Sequence, residues 1–235
     1  MAKTYSTNSI REFMTDVLSL QFFQPNAKHN NTPAIDTYLH EGECPLITVI
    51  GDNACGKSIL RRCVASALNK MDHECIHISQ QGRSSGEGRI QRLFVYGSEE
   101  EDSTGFNSVK SVLTAIKTSK ARTTKHTIFF DEPDIGLSDN NAAGVGVAIR
   151  EFIQNKPEHL FAVFVVSHNK HLMAELNKCS PWNLRMGDAP PLAEWLVQPV
   201  VPADITQLPK IGHARYDRIE EVFKIMNEMR KAEKN

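Results

Sequence analysis

Eight consecutive residues, Gly51, Asp52, Asn53, Ala54, Cys55, Gly56, Lys57 and Ser58, carry the spacing G-x-x-x-x-G-K-S. Glycines at both ends let successive backbone N–H groups turn onto an anion. A helix starting at the lysine adds the positive end of its dipole. In a loop of this kind the lysine ammonium meets the β- and γ-phosphates of a nucleotide, and the serine hydroxyl meets Mg²⁺. Ile59, the next residue, completes the binding stretch. The bland alternative is a chance glycine turn with a surface lysine, and the apolar run before the loop and the helical run after it argue against that. Cys55 is read as a small filler in preference to a redox thiol.

A second cluster of chemistry stands at Thr127, Ile128, Phe129, Phe130, Asp131, Glu132 and Pro133. Four apolar or β-branched residues end in two carboxylates, which is where open α/β sheets place their ligands. Successive residues of a strand point to opposite faces, so the two acids can hold different tasks. Asp131 is expected to hold Mg²⁺, directly or through water, and Glu132 to orient and deprotonate an attacking water. The alternative is an acidic start to the following helix.

With both clusters in view, the chain resembles the ABC-type ATPases. The acidic strand runs on through Asp134, Ile135, Gly136, Leu137 and Ser138, close to that family's D-E-P-x-x-G-L. The phosphate loop shares Asn53 and the G-K-S ending, and departs at Ala54, where the family has glycine. Val165, Val166, Ser167, His168 and Asn169 are similar to the segment that ends in the family's switch histidine. The resemblance implies that His168 contacts the γ-phosphate. It also implies that Gln80 or Gln81 is the loop glutamine touching Mg²⁺ and water.

The same resemblance implies a serine–glycine signature at a helix start, which caps the ATP held by a partner subunit. Ser103, Thr104 and Gly105 fit by position, ahead of a helical stretch leading to the acidic strand. Ser84, Ser85, Gly86 and Glu87 are the alternative, closer in letters. Leu137, Ser138 and Asp139 resemble the family's dimer-contacting segment. The resemblance covers about residues 45–200.

The elements that must position these residues follow from periodicity. Apolar residues at helical spacing predict helices over 9–20, 57–69, 106–120, 140–154 and 213–234. Continuous apolar runs at 46–50, 127–130 and 160–166 predict strands covered on both faces, with a further short strand at 75–79. Strand-like pieces are expected around 182–186 and 194–197, and loops over 24–32 and in the glycine-rich segment 80–105. Strands alternating with helices imply a mostly parallel sheet with right-handed crossovers. The expected fold class is therefore α/β, a P-loop NTPase with a mostly parallel sheet flanked by helices. It would be ABC-ATPase-like with a reduced helical subdomain, in a single domain spanning 1–235. Its core lies at about 45–200, with an N-terminal helical extension over 1–40 and the C-terminal helix over 213–234.

The bulk composition fits that reading. With 235 residues, 40% hydrophobic and 23% charged, the chain has enough apolar material for one core. A net charge of −1 gives no global pull toward nucleic acid or anionic membrane. No run approaches the ~20 apolar residues of a membrane span. The first residues lack the apolar core of a signal peptide, so a cytoplasmic protein without a membrane partner is expected. Five cysteines without a C-x-x-C pair fit reduced thiols and argue against a zinc site.

Two departures narrow the branch. The interval from Gln80 to Ser103 is too short for the helical subdomain of transporter ATPases, and Tyr38 is a weak candidate to stack adenine. No heptad insertion is present either. The expectation is a small soluble ATPase, with ATP and Mg²⁺ as ligands, ATP-driven homodimerisation through a nucleotide sandwich, and an effector protein partner. Nucleic acid remains open through Lys117, Lys120, Arg122, Lys125 and His126, whose plainer reading is a solvated helix end. The stripe of Ile219, Val222, Phe223, Met226 and Met229 is read as packing on its own domain, with partner docking as the alternative. A transporter nucleotide-binding subunit and a slowly hydrolysing nucleotide sensor are the other functions weighed. Membrane co-fractionation would separate the first, and a steady-state ATPase assay the second.

Overall fold

The computed structural model describes residues 9–24, 34–36, 44–79 and 103–232. Tyr38, Gln80, Gln81 and the 84–87 segment lie outside the described residues. Six strands form one sheet in the order β1-β6-β2-β5-β4-β3. They are β1 (Ala34–Asp36), β2 (Leu46–Ile50), β3 (Glu74–Ser79), β4 (His126–Asp131), β5 (Leu160–Val166) and β6 (Trp182–Arg185). All neighbours pair in parallel except β1, which runs antiparallel to β6 at the edge.

The apolar runs become the centre of the sheet because both of their faces are covered. Along β4, Phe129 faces one layer while Ile128 and Phe130 face the other. Along β5, Ala162, Phe164 and Val166 alternate in the same way with Val163 and Val165. The first layer is α1 (Ile10–Leu18) and α2 (Lys57–Lys70), which bury Phe13, Met14, Leu60, Val64 and Leu68 against the sheet. The second is α3 (Thr104–Ala121), α4 (Asp139–Gln154) and α5 (Lys170–Asn177), burying Val112, Ile149, Phe152, Leu172 and Leu176. Burial of this kind contributes roughly 1.5–3 kcal/mol for each large apolar side chain.

Two expectations are corrected at the C-terminal end. The stretch 194–197 is not strand-like but forms the end of a short helix, α6 (Leu192–Val197), in which Leu192 is buried and Trp195 and Leu196 pack on the core. A run this short fits period 2 and period 3.6 equally, and packing decides between them. The last helix, α7 (Gln207–Ala232), starts at Gln207 instead of His213. Pro209 falls in its first turn, where a missing N–H leaves no hydrogen bond unmade. On its stripe Val222 is buried, and Phe223, itself exposed, meets Phe22 edge to face with ring centroids 5.6 Å apart. Among the described residues no helix is long and apolar enough to cross a membrane.

The basic cluster shrinks as well. His126 is fully buried, its Nε2 2.7 Å from Ser119 Oγ and its Nδ1 2.8 Å from Thr124 O. Arg122 is paired with Glu74 across the sheet edge. Lys117, Lys120 and Lys125 stay exposed, so two of the five groups are committed to the protein itself.

Candidate functional site

Strand order builds the site. Because β5 lies between β2 and β4, the chain leaving β5 runs between the glycine loop after β2 and the acids that end β4. Parallel strands put all three carboxyl ends on one edge, the edge where open α/β sheets take ligands.

The loop from Gly51 to Gly56 turns sharply over that edge. Gly51 has φ +148, and a Cβ there would stand 2.5 Å from Met186 O, so only glycine lets the loop start this close to the end of β6. Cys55 is buried against this same corner, in keeping with a filler role. Ala54, where the resembling family has glycine, holds a left-handed φ of +59, the conformation that favours glycine. Gly56 caps α2, its carbonyl accepting from Ile59 N and Leu60 N at 3.0 Å each. The N–H groups of the first turn, at Lys57 and Ser58, have no intrahelical acceptor and are available to an anion. Ser58 and Asn53 are exposed beside the loop, and Ile59 packs into the core layer below it.

Lys57 curls back over the loop. Its Nζ donates to Gly51 O at 2.8 Å and Asp52 O at 2.9 Å, and stands 2.9 Å from His168 Nε2. His168 Nε2 in turn lies 3.7 Å from Glu132 Oε1. Three residues picked from three separate segments of sequence thus meet at one place.

Asp131 ends β4, and Glu132 departs from the strand with a left-handed φ of +53 while its N–H donates to Val166 O at 2.8 Å. A non-glycine residue held at positive φ at a strand end is a strained conformation of the kind found at functional sites. Burial, followed by the neighbouring Asp131 carboxylate, pushes the Glu132 carboxyl above its ordinary value, against an opposing pull from Lys57. Burial and then the Lys57 charge push His168 below its ordinary value, with Asp52 and Asp131 acting the other way. Glu132 is therefore a stronger base than a free carboxylate, and His168 is held toward the neutral ring.

Several supports were not singled out in the sequence. Ser167 Oγ donates to Asp134 Oδ1 at 2.7 Å and accepts from Asn169 N at 2.9 Å. The Asn169 side chain caps α5 by accepting from His171 N and Leu172 N. His168 is thus fixed on both sides by neighbours that lock the two segments together. His77 on β3 brings Nε2 to 3.7 Å from Asp131 Oδ2. Ser167 beside His168 was visible as a polar residue ending an apolar run, but its partner Asp134 appears only once β4 and β5 are known to be neighbours.

Ser103 caps α3, its Oγ accepting from Phe106 N at 3.3 Å. Gly105 lies against the turn that follows Glu132. A Cβ there would stand 2.6 Å from Gly136 O and 3.0 Å from Leu137 Cδ2. Ser108 Oγ adds a bond to Ile135 O at 2.7 Å. The helix start and the acidic turn are therefore packed directly on each other.

Among the described residues no group of three or more His, Cys, Asp or Glu could hold a metal by itself. Mg²⁺ commonly takes one or two protein oxygens and fills its remaining positions with water and phosphate. The Ser58 hydroxyl and the Asp131 carboxylate are hard oxygen donors of that kind, so the donor set fits Mg²⁺. Comparison of the chain with protein-family models, with curated proteins and with solved structures gives no match.

Proposed function

We propose that this chain is a P-loop ATPase of the ABC type, binding ATP with Mg²⁺ and hydrolysing it to ADP and phosphate. The observation that carries this reading is the convergence of Lys57, His168 and Glu132, with Lys57 Nζ 2.9 Å from His168 Nε2 and His168 Nε2 3.7 Å from Glu132 Oε1. A cation for the phosphates, an imidazole beside it and a carboxylate of raised basicity are groups of the kind that phosphoryl transfer to water uses.

In this reading the backbone N–H groups from Asn53 to Ser58 cradle the phosphates, and Lys57 neutralises the β- and γ-phosphates. Ser58 and Asp131 hold Mg²⁺, whose charge offsets that of the phosphates; Gln80 is the third ligand the resemblance implies. Glu132 takes the proton of the attacking water, and its strained backbone fixes the direction of that carboxylate. His168 touches the γ-phosphate. The start of α3 at Ser103, Thr104 and Gly105 caps the nucleotide of a second copy. Coupling of that helix start to the Glu132 turn, through Gly105 and Ser108, supports a dimer that senses the state of its own nucleotide. Such a dimer would gate an effector protein in the cytoplasm.

The test is Glu132→Gln, which keeps the size of the side chain and removes the base. ATP should stay bound while turnover falls by about 10²–10⁴, and sedimentation should show a dimer with ATP and Mg²⁺ and a monomer without. A variant that stays monomeric with ATP would overturn the sandwich, and one that turns over at the wild-type rate would overturn the role of Glu132. Ser103→Arg in the same background should dissolve the dimer. A dimer that persists would move the cap to the 84–87 segment.

A further inference from the structure

α3 turns one face to the core and a quite different one to solvent. Inward it buries Val112, Ala115 and Ile116 against the sheet. At 3.6 residues per turn, Phe106, Lys110, Leu113, Lys117 and Lys120 fall on the opposite side, within about 80° of one another around the axis and over about 21 Å of its length. Phe106 is 55% exposed and Leu113 52% exposed. Lys117 and Lys120 are exposed as well, and Lys110 is half-buried between the two apolar residues. The stripe thus interleaves large apolar side chains with lysines.

Its charge is of one sign. The 18 residues of α3 include these lysines and no carboxylate, and among the described residues none of the lysines is paired with an acid. Arg122, next along the chain, adds nothing to this charge because Glu74 neutralises it. Exposed apolar surface is unfavourable in water, and like charges a turn apart repel each other. A partner that covers the one and brings charge opposite to the other removes both costs. A phosphate backbone answers the lysines alone and leaves Phe106 and Leu113 uncovered. A helix with apolar residues two turns apart on an acidic face answers both.

We infer that the outer face of α3 is a docking surface for an acidic amphipathic helix of a partner protein, with Phe106 and Leu113 as apolar anchors and Lys110, Lys117 and Lys120 as the charge that selects it. The inference deepens the effector reading above, on which it rests, by giving that partner a place and a chemistry. Direction follows from the order along the stripe, since Phe106 stands near the start of α3 and Lys117 and Lys120 near its end. Acidic residues are favoured in the first turns of a helix, where the dipole is positive. The partner helix therefore runs antiparallel to α3, its acidic start over Lys117 and Lys120 and its apolar residues over Leu113 and Phe106. α3 itself begins beside Ser103, the proposed cap, so a partner held here sits on the helix that would close over a second copy's nucleotide.

Fluorescence anisotropy of the full chain, without nucleotide, tests this with labelled probes. The first is a helical peptide of about 18 residues, long enough to span the stripe, with leucines two turns apart and glutamates toward its start. The second has lysines in place of the glutamates, and the third is a DNA duplex of similar length. The acidic peptide should bind wild type and the lysine peptide should not. Lys117→Glu with Lys120→Glu should weaken the acidic peptide about tenfold and admit the lysine peptide instead. Leu113→Ser should weaken the acidic peptide by about tenfold as well. All three side chains face solvent, so an unchanged urea midpoint verifies the fold of each variant. Failure of the acidic peptide to bind wild type, or equal binding before and after charge reversal, would overturn the inference. Duplex binding that the same reversal abolishes, with no peptide bound, would assign the face to nucleic acid and overturn it too. ATP turnover is measured separately. A chain that docks the peptide without hydrolysing ATP keeps this surface and loses the ATPase reading, and one that hydrolyses ATP but ignores the peptide does the reverse.

Discussion

One substitution, made at two glycines, should have opposite effects. Gly136 sits in the turn after Glu132 with φ +76, and a Cβ there would stand 2.9 Å from Thr104 Cβ and 3.0 Å from Gly105 N. Gly144 lies on the exposed face of α4, and a Cβ there meets nothing within 4 Å. Alanine at 136 incurs about 1–2 kcal/mol for a left-handed residue with a Cβ. It also incurs about 1–3 kcal/mol for forcing apart a close-packed contact. The helix start cannot simply retreat, because Ser108 Oγ donates to Ile135 O at 2.7 Å and would lose that bond. The expected loss is therefore about 2–5 kcal/mol, a large part of the roughly 5–15 kcal/mol that holds a domain folded. Alanine at 144 should gain about 0.5–1 kcal/mol, the ordinary difference inside a helix. Urea denaturation measures both, with the midpoint lowered for Gly136→Ala, raised for Gly144→Ala, and the slope unchanged. Gly136→Ala at or above the wild-type midpoint would refute the contact between α3 and the acidic turn.

Lys57→Ala should remove tight ATP binding, because no other cation of the loop reaches the phosphates; nucleotide titration at equal Mg²⁺ checks this, and wild-type affinity would refute the phosphate-loop assignment. Stability should also fall as pH drops from about 7.5 to about 5.5. Burial holds the His126 ring below its ordinary 6.5. The unfolded chain therefore takes up that proton first, and the stabilisation is full above 6.5 and lost beneath it. Denaturation midpoints across that interval should slope in wild type and slope less in His126→Gln; equal slopes would refute the role of this histidine. At lower pH the raised carboxyls of Glu132 and Asp134 act with the opposite sign, binding protons more tightly in the folded chain.

The legible parts of this chain share a physical cause. β2 and β5 have the bounds their apolar runs predict, and the glycine loop 51–56 falls between strand and helix as its spacing requires. Central strands buried on both faces leave a continuous apolar signature, which their short length and β-branched content separate from a buried helix. Short peripheral elements leave none. β1 is three residues long and antiparallel at the edge, and α6 is six residues long. In both, pairing or packing with distant segments outweighs the local pattern.

The site divides along the same line. Lys57, Glu132 and His168 could be chosen from sequence because each stands beside a strand run that marks its place. What no local pattern contains is the order of those strands. With β5 between β2 and β4, His168 lies between the lysine and the glutamate; a sheet with β2 beside β4 would have set the histidine to one side. Strand order also decides the supports, since the bond from Ser167 to Asp134 and the bond from Glu132 N to Val166 O both cross from β4 to β5. These two bonds hold the acidic turn to the histidine segment, and Gly105 holds the same turn to α3.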